Sequence, residues 1–233
     1  MKTVSLDNAW KGEADCLSCS LRETVLFSGL SVVDFEKIHN PIDQYMLPAG
    51  SDLYHEGDCA DYMYTIRSGI VKFTQVLADG NQRIVRLGFS SDIIGLESLF
   101  ESTYKHRVTV LRDLEVCRLP VTTINQISAD NQTLHRELLN RWHQALNEAD
   151  NWLTLLSTGS SRQRMANLLI MLSKKHGDNC CQLFSREDVG SILGLTTETA
   201  SRIIAEFKRN NIIKGVGNYY TIDINQLSKF ISD

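Results

Sequence analysis

The chain has 233 residues, of which 42% are hydrophobic and 22% charged; this composition excludes a disordered chain and is sufficient for two folded cores. No apolar run has the length of a signal peptide or membrane span, so we expect a cytoplasmic protein without a membrane partner. The net charge of −4 excludes a uniformly basic protein, but from Ser160 onward ten basic residues face seven acidic ones. That local excess favours a phosphate-binding surface in the C-terminal third.

Two cysteines near the N-terminus, Cys16 and Cys19, form a C-x-x-C pair in the stretch EADCLSCSLRETVLF. This spacing suits zinc, an iron–sulfur cluster, a redox-active dithiol or two buried thiols. A cytoplasmic location favours thiols or metal ligands over disulfides. The pair alone leaves these alternatives open.

From Tyr45 to about Pro120 the sequence consists of short β-rich runs such as YMYTIRSGIVKFTQVLADGNQRIVRLGF. Short strands that end at glycines predict a compact antiparallel β-roll. Asp79-Gly80 lies between two such runs and predicts a tight hairpin. The glycines at the predicted joints are Gly50, Gly57, Gly69, Gly80, Gly88 and Gly95.

A long helix is predicted from about Asp130 to Leu156, where apolar residues recur at spacings of three and four. A second apolar line, Leu139, Leu146 and Leu153, repeats every seven residues beside the first. We expect the two faces of this helix to bind its own β-roll and a second copy of the chain. The alternative is a helix packed between two domains of a monomer. The predicted dimer seam consists of Leu138, Trp142, Ala145, Ala149, Trp152 and Leu156.

The residues STGS at 157–160 interrupt this helix, and Gly159 predicts a break or hinge. Another helix, SRQRMANLLIMLSKKHG, follows the break. Its two lysines and the final glycine, Gly177, are typical of a helix C-terminus.

The stretch FSREDVGSILGLTTETASRIIAEFKRNN predicts two helices joined by a tight turn. Ser185 is placed to cap the first helix, Gly194 to end it, and Thr196 to cap the second. In the second helix Ala200, Ile203, Ile204 and Phe207 share an inward face, which leaves four polar residues exposed near its N-terminus. A helix of this kind enters the major groove of DNA while the preceding helix crosses the backbone. The four exposed residues are Thr197, Glu198, Ser201 and Arg202.

The chemistry of these side chains suits base reading. Arg202 can donate two hydrogen bonds to guanine, Glu198 can accept one from cytosine, and Ser201 can reach a base or a phosphate. The alternatives are a helix-dipole role for Glu198 and an ion pair of Arg202 with Glu198 or Glu206. The following stretch IIKGVGNYYTIDI predicts a β-hairpin wing, with Lys208, Arg209 and Lys214 available for phosphates.

The order of these motifs resembles the CRP/FNR family of transcription regulators. The resemblance rests on PAGSDLYHEGDCADYMYTIRSGIVK, then the long helix, then SREDVGSILGLTTETASRII, and it spans the chain from about Leu26. It implies an α+β protein with a cyclic-nucleotide-binding-like β-roll at 1–128, a dimerisation helix at 129–158 and a winged helix-turn-helix at 159–233. It also implies that double-stranded DNA, RNA polymerase and a second copy of the chain are partners.

Within the family, Glu198, Ser201 and Arg202 match the E-x-x-S-R arrangement of the FNR branch, whose half-site resembles TTGAT in an inverted repeat. Readers of cyclic AMP usually carry Arg where this chain has Thr197. Their nucleotide pocket resembles G-E-x-x-L followed by Arg-Ser, whereas this chain has Leu96 at the carboxylate position and Val108 after Arg107. A one-residue shift to Glu97 would turn that side chain to the opposite face. The resemblance therefore argues against cyclic AMP as the effector.

The FNR branch holds an iron–sulfur cluster with four cysteines, and Cys16, Cys19 and Cys117 match three of them. The remaining position is Val25 in this chain, so the resemblance implies either a substitute ligand, such as Asp15, Glu13 or Glu23, a three-ligand cluster, or plain thiols. Haem that senses a gas is an alternative, although the six histidines show no haem-specific spacing. The effector pocket stays undefined.

These observations predict a homodimeric, sequence-specific DNA-binding regulator without catalytic residues. We expect an event at the sensor to change the packing of the two long helices, and Gly159 to let the DNA-binding domains reorient. Two other classes remain as alternatives. A cupin-type β-barrel enzyme would need a histidine-rich metal cluster, and a nucleotide-binding regulatory module that does not bind DNA would not need Arg202 or the wing.

Overall fold

The computed structural model describes residues 9–14, 19, 42–177 and 179–231. The chain divides into two units. Residues 1–75 and 87–146 form the first, and residues 76–86 and 147–233 form the second. No helix in these described ranges is long and apolar enough to cross a membrane.

An antiparallel sheet has the order β1-β2-β7-β4-β5, in which β3 also pairs with β7 and β6 with β4. Most of this sheet belongs to the first unit, while residues 76–86, which include the β4–β5 hairpin, belong to the second. The fold is the predicted β-roll. The strands are β1 (Trp10–Glu13), β2 (Asp43–Leu47), β3 (Asp52–Tyr54), β4 (Tyr62–Val76), β5 (Gln82–Gly88), β6 (Ile93–Ile94) and β7 (Arg107–Pro120).

Local chemistry explains two irregular points of this sheet. The predicted hairpin at Asp79-Gly80 is confirmed: Gly80 has a positive φ of 82°, and Asp79 Oδ1 accepts a hydrogen bond from the Asn81 amide at 3.0 Å. The register between β4 and β7 shifts on both sides of Gly69. Gly69 has a φ of 101°, and a side chain there would collide with the backbone of Asp113 and Leu114. Glycine is therefore required where the two long strands bend.

Helices close one end of the β-roll. A 3₁₀ turn covers Leu96–Leu99, α1 spans Val121–Asp130 and α2 spans Gln132–Asn151. Ile124 and Ile127 of α1 and Leu134 and Leu138 of α2 pack into one apolar cluster with Met63 of β4. The sequence analysis did not predict α1 as a separate helix.

In the second unit, a π-helical turn (Trp152–Leu156) ends the long helix, and Gly159 at φ 81° completes the predicted break. The remaining helices are α3 (Ser161–His176), α4 (Arg186–Leu193), α5 (Thr197–Arg209) and α6 (Ile224–Lys229); the strands β8 (Cys180–Gln182), β9 (Ile213–Lys214) and β10 (Tyr219–Ile222) form a sheet in the order β8-β10-β9. Ser160 and Gln163 form a capping box at the start of α3, and Gly177 ends that helix as predicted. The prediction missed α6 and the third strand of this sheet.

Candidate nucleic-acid interface and sensor site

The helix-turn-helix is fixed by local capping, as the sequence predicted. The Ser185 hydroxyl accepts a hydrogen bond from the Asp188 amide at 3.0 Å, and Gly194 ends α4 in the left-handed conformation with φ 61°. Thr196 Oγ1 then accepts from the Thr199 amide at 3.2 Å at the start of α5. A side chain at Gly190 would meet the Leu195 carbonyl oxygen at 2.6 Å, so the turn approaches α4 too closely for any residue but glycine.

Helix α5 separates its apolar and polar faces. Ala200, Ile203, Ile204 and Phe207 are buried, with at most 3% of each side chain exposed. The four predicted reading residues, Thr197, Glu198, Ser201 and Arg202, are all exposed on the first turns of the helix. The structure thus brings these four together on one surface with donors and acceptors suited to base edges.

Glu206 is engaged elsewhere, which bears on the role of Arg202. Arg162 of α3 donates two hydrogen bonds to the Glu206 carboxylate, at 2.8 and 2.9 Å. These bonds hold the pKa of Glu206 below its usual range despite the small opposing effect of burial. Arg162 thus holds the Glu206 carboxylate, one of the two partners that the alternative interpretation gave to Arg202, while the charge of Arg202 also lowers the pKa of Glu206.

The cationic residues predicted to bind phosphate, Lys208, Arg209 and Lys214, are exposed at the end of α5 and on β9. The Lys208 ammonium lies over the ring of Tyr220 at 4.7 Å. Arg186, the first residue of α4, was not singled out from the sequence. Its Nη2 lies 3.5 Å from the Tyr220 hydroxyl, so it adds a further cation beside Lys208.

The structure describes only part of the predicted iron–sulfur site. Four of the residues considered for it lie outside the described residues: Asp15, Cys16, Glu23 and Val25. Cys19 is half-buried, and Cys117 lies buried on β7. Burial raises the pKa of the Cys117 thiol; the charge and hydrogen bond of Arg67 oppose this rise, and Cys19 adds to it. Both thiols thus interact electrostatically with the Arg67 guanidinium.

The side-chain chemistry of Cys19 and Cys117 fits iron, which thiolates bind well. They supply two of the ligands that a cluster would need. The described part of the chain contains no group of three or more histidine, cysteine or acidic residues that could hold a metal. Glu13, one of the suggested substitute ligands, lies on the exposed edge strand β1.

The positions that would hold a cyclic nucleotide have other roles. Leu96 is buried in the apolar cluster of the first unit, and Arg107 is paired with Asp52 at 2.6 Å. Two tyrosines of the same unit are buried: the rings of Tyr54 and Tyr104 stack with centroids 3.8 Å apart. These contacts agree with the sequence argument against cyclic AMP.

The six residues of the predicted dimer seam differ in how far they are exposed. Leu138 and Leu156, its two ends, are buried within the chain, while Ala145 and Trp152 are half-buried. The second apolar line is the exposed one, since Leu139, Leu146 and Leu153 expose 56%, 61% and 61% of their side chains. Trp142, from the predicted seam, is also exposed and contacts the Phe100 ring edge-on at 5.9 Å.

Fold and site together define a winged helix-turn-helix DNA-binding regulator that carries an antiparallel β-roll unit. Residues 46–131 match the family described as "Cyclic nucleotide-binding domain", and residues 163–230 match "Crp-like helix-turn-helix domain". With these two domains in this order, the chain belongs to the CRP/FNR family of transcription regulators, which are not enzymes.

Characterised relatives and a solved structure agree with this assignment. The transcriptional activator protein Anr of Pseudomonas aeruginosa is 27% identical over 212 residues, which cover 88% of this chain and 87% of that protein. The fumarate and nitrate reduction regulatory protein of Escherichia coli is 24% identical, covering 90% and 87%. The structure of FixK2 from Bradyrhizobium japonicum shares the fold, with a TM-score of 0.75, 22% identity, and coverage of 81% of this chain and 96% of that one.

Proposed function

We propose that this regulator binds, as a homodimer, to inverted repeats with TTGAT-like half-sites. The observation that carries the proposal is the exposed set Glu198, Ser201 and Arg202 on the first turns of α5. Each residue presents a hydrogen-bonding group of the type that reads base edges in the major groove. The half-site itself comes from the resemblance of these residues to the FNR branch.

The homodimer would form along the exposed side of the long helix. Leu139, Trp142, Leu146, Ala149 and Leu153 are all exposed and recur at spacings of three and four, which is the a/d pattern of a two-helix coiled coil. Five apolar side chains in one row would be costly to leave in water. This seam differs from the one predicted from sequence, because Leu138 and Leu156 serve the chain's own core. A two-fold dimer would place two recognition helices about 34 Å apart, one turn of DNA.

The effector would be an iron–sulfur cluster that oxygen or nitric oxide destroys. Cys16, Cys19 and Cys117 would be its cysteine ligands, and the electrostatic interaction of Cys19 with Cys117 supports this assignment. One relative is named a fumarate and nitrate reduction regulatory protein, which supports a role in regulating such reductions. Haem that binds a gas, or another small effector, would be the alternative sensor. RNA polymerase would be the protein partner at promoters.

A gel-shift titration tests the proposal. We expect anaerobically prepared protein to bind a duplex with two TTGAT-like half-sites more tightly than a duplex of scrambled sequence, with both affinities falling as salt rises. Moving the half-sites apart by half a helical turn should abolish the preference, since both recognition helices could no longer bind at once. Equal affinity for all three duplexes would contradict base reading, and no complex at low salt would favour a regulatory module that does not bind DNA.

A further inference from the structure

The Tyr220 side chain contacts three elements of the second unit. It donates a hydrogen bond to the Gly217 carbonyl oxygen in the wing at 2.6 Å. Arg186 of α4 lies 3.5 Å away through Nη2, and the Lys208 ammonium of α5 lies 4.7 Å above the centre of the ring. One phenol therefore contacts the first helix, the recognition helix and the wing.

The surroundings of this phenol are positively charged. Burial acts to raise the pKa of Tyr220, but the hydrogen bonds and charges of Lys208 and Arg186 outweigh burial and lower it. Among the described residues, neither cation forms an ion pair with a carboxylate, and Arg186 Nη1 has no hydrogen-bond partner. Neither charge is neutralised by a carboxylate in this part of the structure; Lys208 is exposed, whereas Arg186 is half-buried and its Nη1 atom is buried.

Two glycines determine the backbone conformation of the wing beside the Tyr220 hydroxyl. Gly217 adopts a left-handed φ of 64°, and a side chain at Gly215 would collide with the Tyr219 carbonyl. The tight turn fixes the directions of its carbonyl oxygens, and the Tyr220 hydroxyl donates its hydrogen bond to one of them, the Gly217 carbonyl oxygen. Tyr219, the preceding residue of the same strand, exposes 60% of its surface, since neighbouring residues of a strand point to opposite faces.

We propose that the Tyr220 hydroxyl is a positioning group that holds Lys208, Arg186 and the wing in place as one phosphate-binding unit beside the recognition helix. The ligand is the phosphodiester backbone of DNA, since Lys208 is exposed on α5, the helix that carries the predicted reading residues, and phosphate contacts set the register of a recognition helix. This inference rests on the proposed function, because it assumes that this face binds DNA. Tyr220 itself need not touch DNA.

The test is the salt dependence of DNA binding by Tyr220→Phe, a variant that keeps the ring under Lys208 and removes only the hydroxyl. We expect its affinity to fall roughly three- to tenfold for specific and scrambled duplexes alike. The slope of log affinity against log salt should become shallower by about 1, the signature of one lost phosphate contact. Tyr219→Phe is the matched control and should leave affinity and slope unchanged. Circular dichroism at the assay temperature checks that both variants are folded.

A double-mutant cycle separates positioning from simple packing. If Tyr220 acts through Arg186, then adding Tyr220→Phe to Arg186→Gln should change the salt slope no further. A wild-type slope for Tyr220→Phe, or full additivity of the two changes, would overturn the inference. Failure of the proposed function looks different, because the wild-type protein would then bind specific and scrambled duplexes equally, or form no complex with either.

Discussion

Arg107 and Asp52 form a bidentate ion pair between the paired strands β7 and β3: Arg107 Nε donates to Asp52 Oδ1 at 2.9 Å, and Nη2 donates to Oδ2 at 2.6 Å. Thr109 donates a third hydrogen bond to the same carboxylate at 2.7 Å. The guanidinium edge that could grip a phosphate bidentately is therefore already bound to a carboxylate.

We expect cyclic AMP to leave the protein unaffected. Its phosphate would have to displace Asp52 from Arg107, and Leu96 offers no carboxylate for the ribose. Thermal unfolding with and without millimolar cyclic AMP measures this, and a duplex with TTGAT-like half-sites serves as the positive control. A saturable rise in melting temperature with cyclic AMP alone would contradict the expectation.

Asp52→Asn should destabilise the first unit by about 1 kcal/mol, a value reduced by the partial exposure of Arg107. Burial acts to raise the pKa of Asp52, but Arg107 and Thr109 hold it below its ordinary value of 3.8. A depressed folded pKa means that the stabilisation is complete above the unfolded value and is lost as pH falls through the folded one. Urea unfolding should therefore show a difference between wild type and variant near neutral pH that closes in acid below about pH 4. A difference that is constant with pH would mean that the ion pair does not contribute.

Leu146→Glu should convert a dimer to monomers. The side chain is exposed in the single chain, so the substitution should spare folding, while a two-fold dimer would bring two carboxylates together in a dry seam. Sedimentation velocity measures the outcome. Gln144→Glu, two residues away at an exposed position off the seam, is the control and should remain dimeric. If both variants sediment as the wild type, the dimer contact lies elsewhere.

Arg202→Ala and Lys214→Ala should have different effects on DNA binding. Loss of Arg202 should cost about 1 to 3 kcal/mol at the specific site and relax the preference at one G·C pair, whereas loss of Lys214 should weaken all sequences alike. Competition titrations against single-base variants of the half-site distinguish the two. Equal losses on specific and scrambled duplexes for both variants would show that α5 does not read bases through Arg202.

Anaerobic protein should contain iron and sulfide that disappear in air. Cys117→Ser should abolish both, as should Cys16→Ser and Cys19→Ser, while Cys180→Ser on β8 is the control and should retain them. With Val25 at the fourth family position, we expect any cluster to be lost faster in air than in four-cysteine relatives. Metal and sulfide assays with absorption spectra measure this. Anaerobic protein that contains no iron and binds DNA equally well with and without air would contradict the cluster and show that these cysteines are free thiols.

The helix-turn-helix was readable from sequence because its determinants act over a few residues. Ser185, Gly194 and Thr196 cap or end helices within one turn of themselves, and the period of Ala200 and Phe207 identifies the inward face of α5. The same local logic located the Asp79-Gly80 hairpin and the end of α3 at Gly177.

Contacts between distant residues were decided only by the tertiary structure. The sequence contains two apolar lines along the long helix, and the predicted dimer seam followed the line through Leu138. Only the packing of Leu138 in the apolar cluster of the first unit shows that the line through Leu146 remains exposed. Asp52 meets Arg107 across 55 residues of sequence, and Tyr220 joins Arg186 to Lys208 although no motif links them. The periodicity of a helix shows that one of its faces is apolar. Which residues pack against that face depends on parts of the chain that are distant in sequence, so the periodicity cannot predict them.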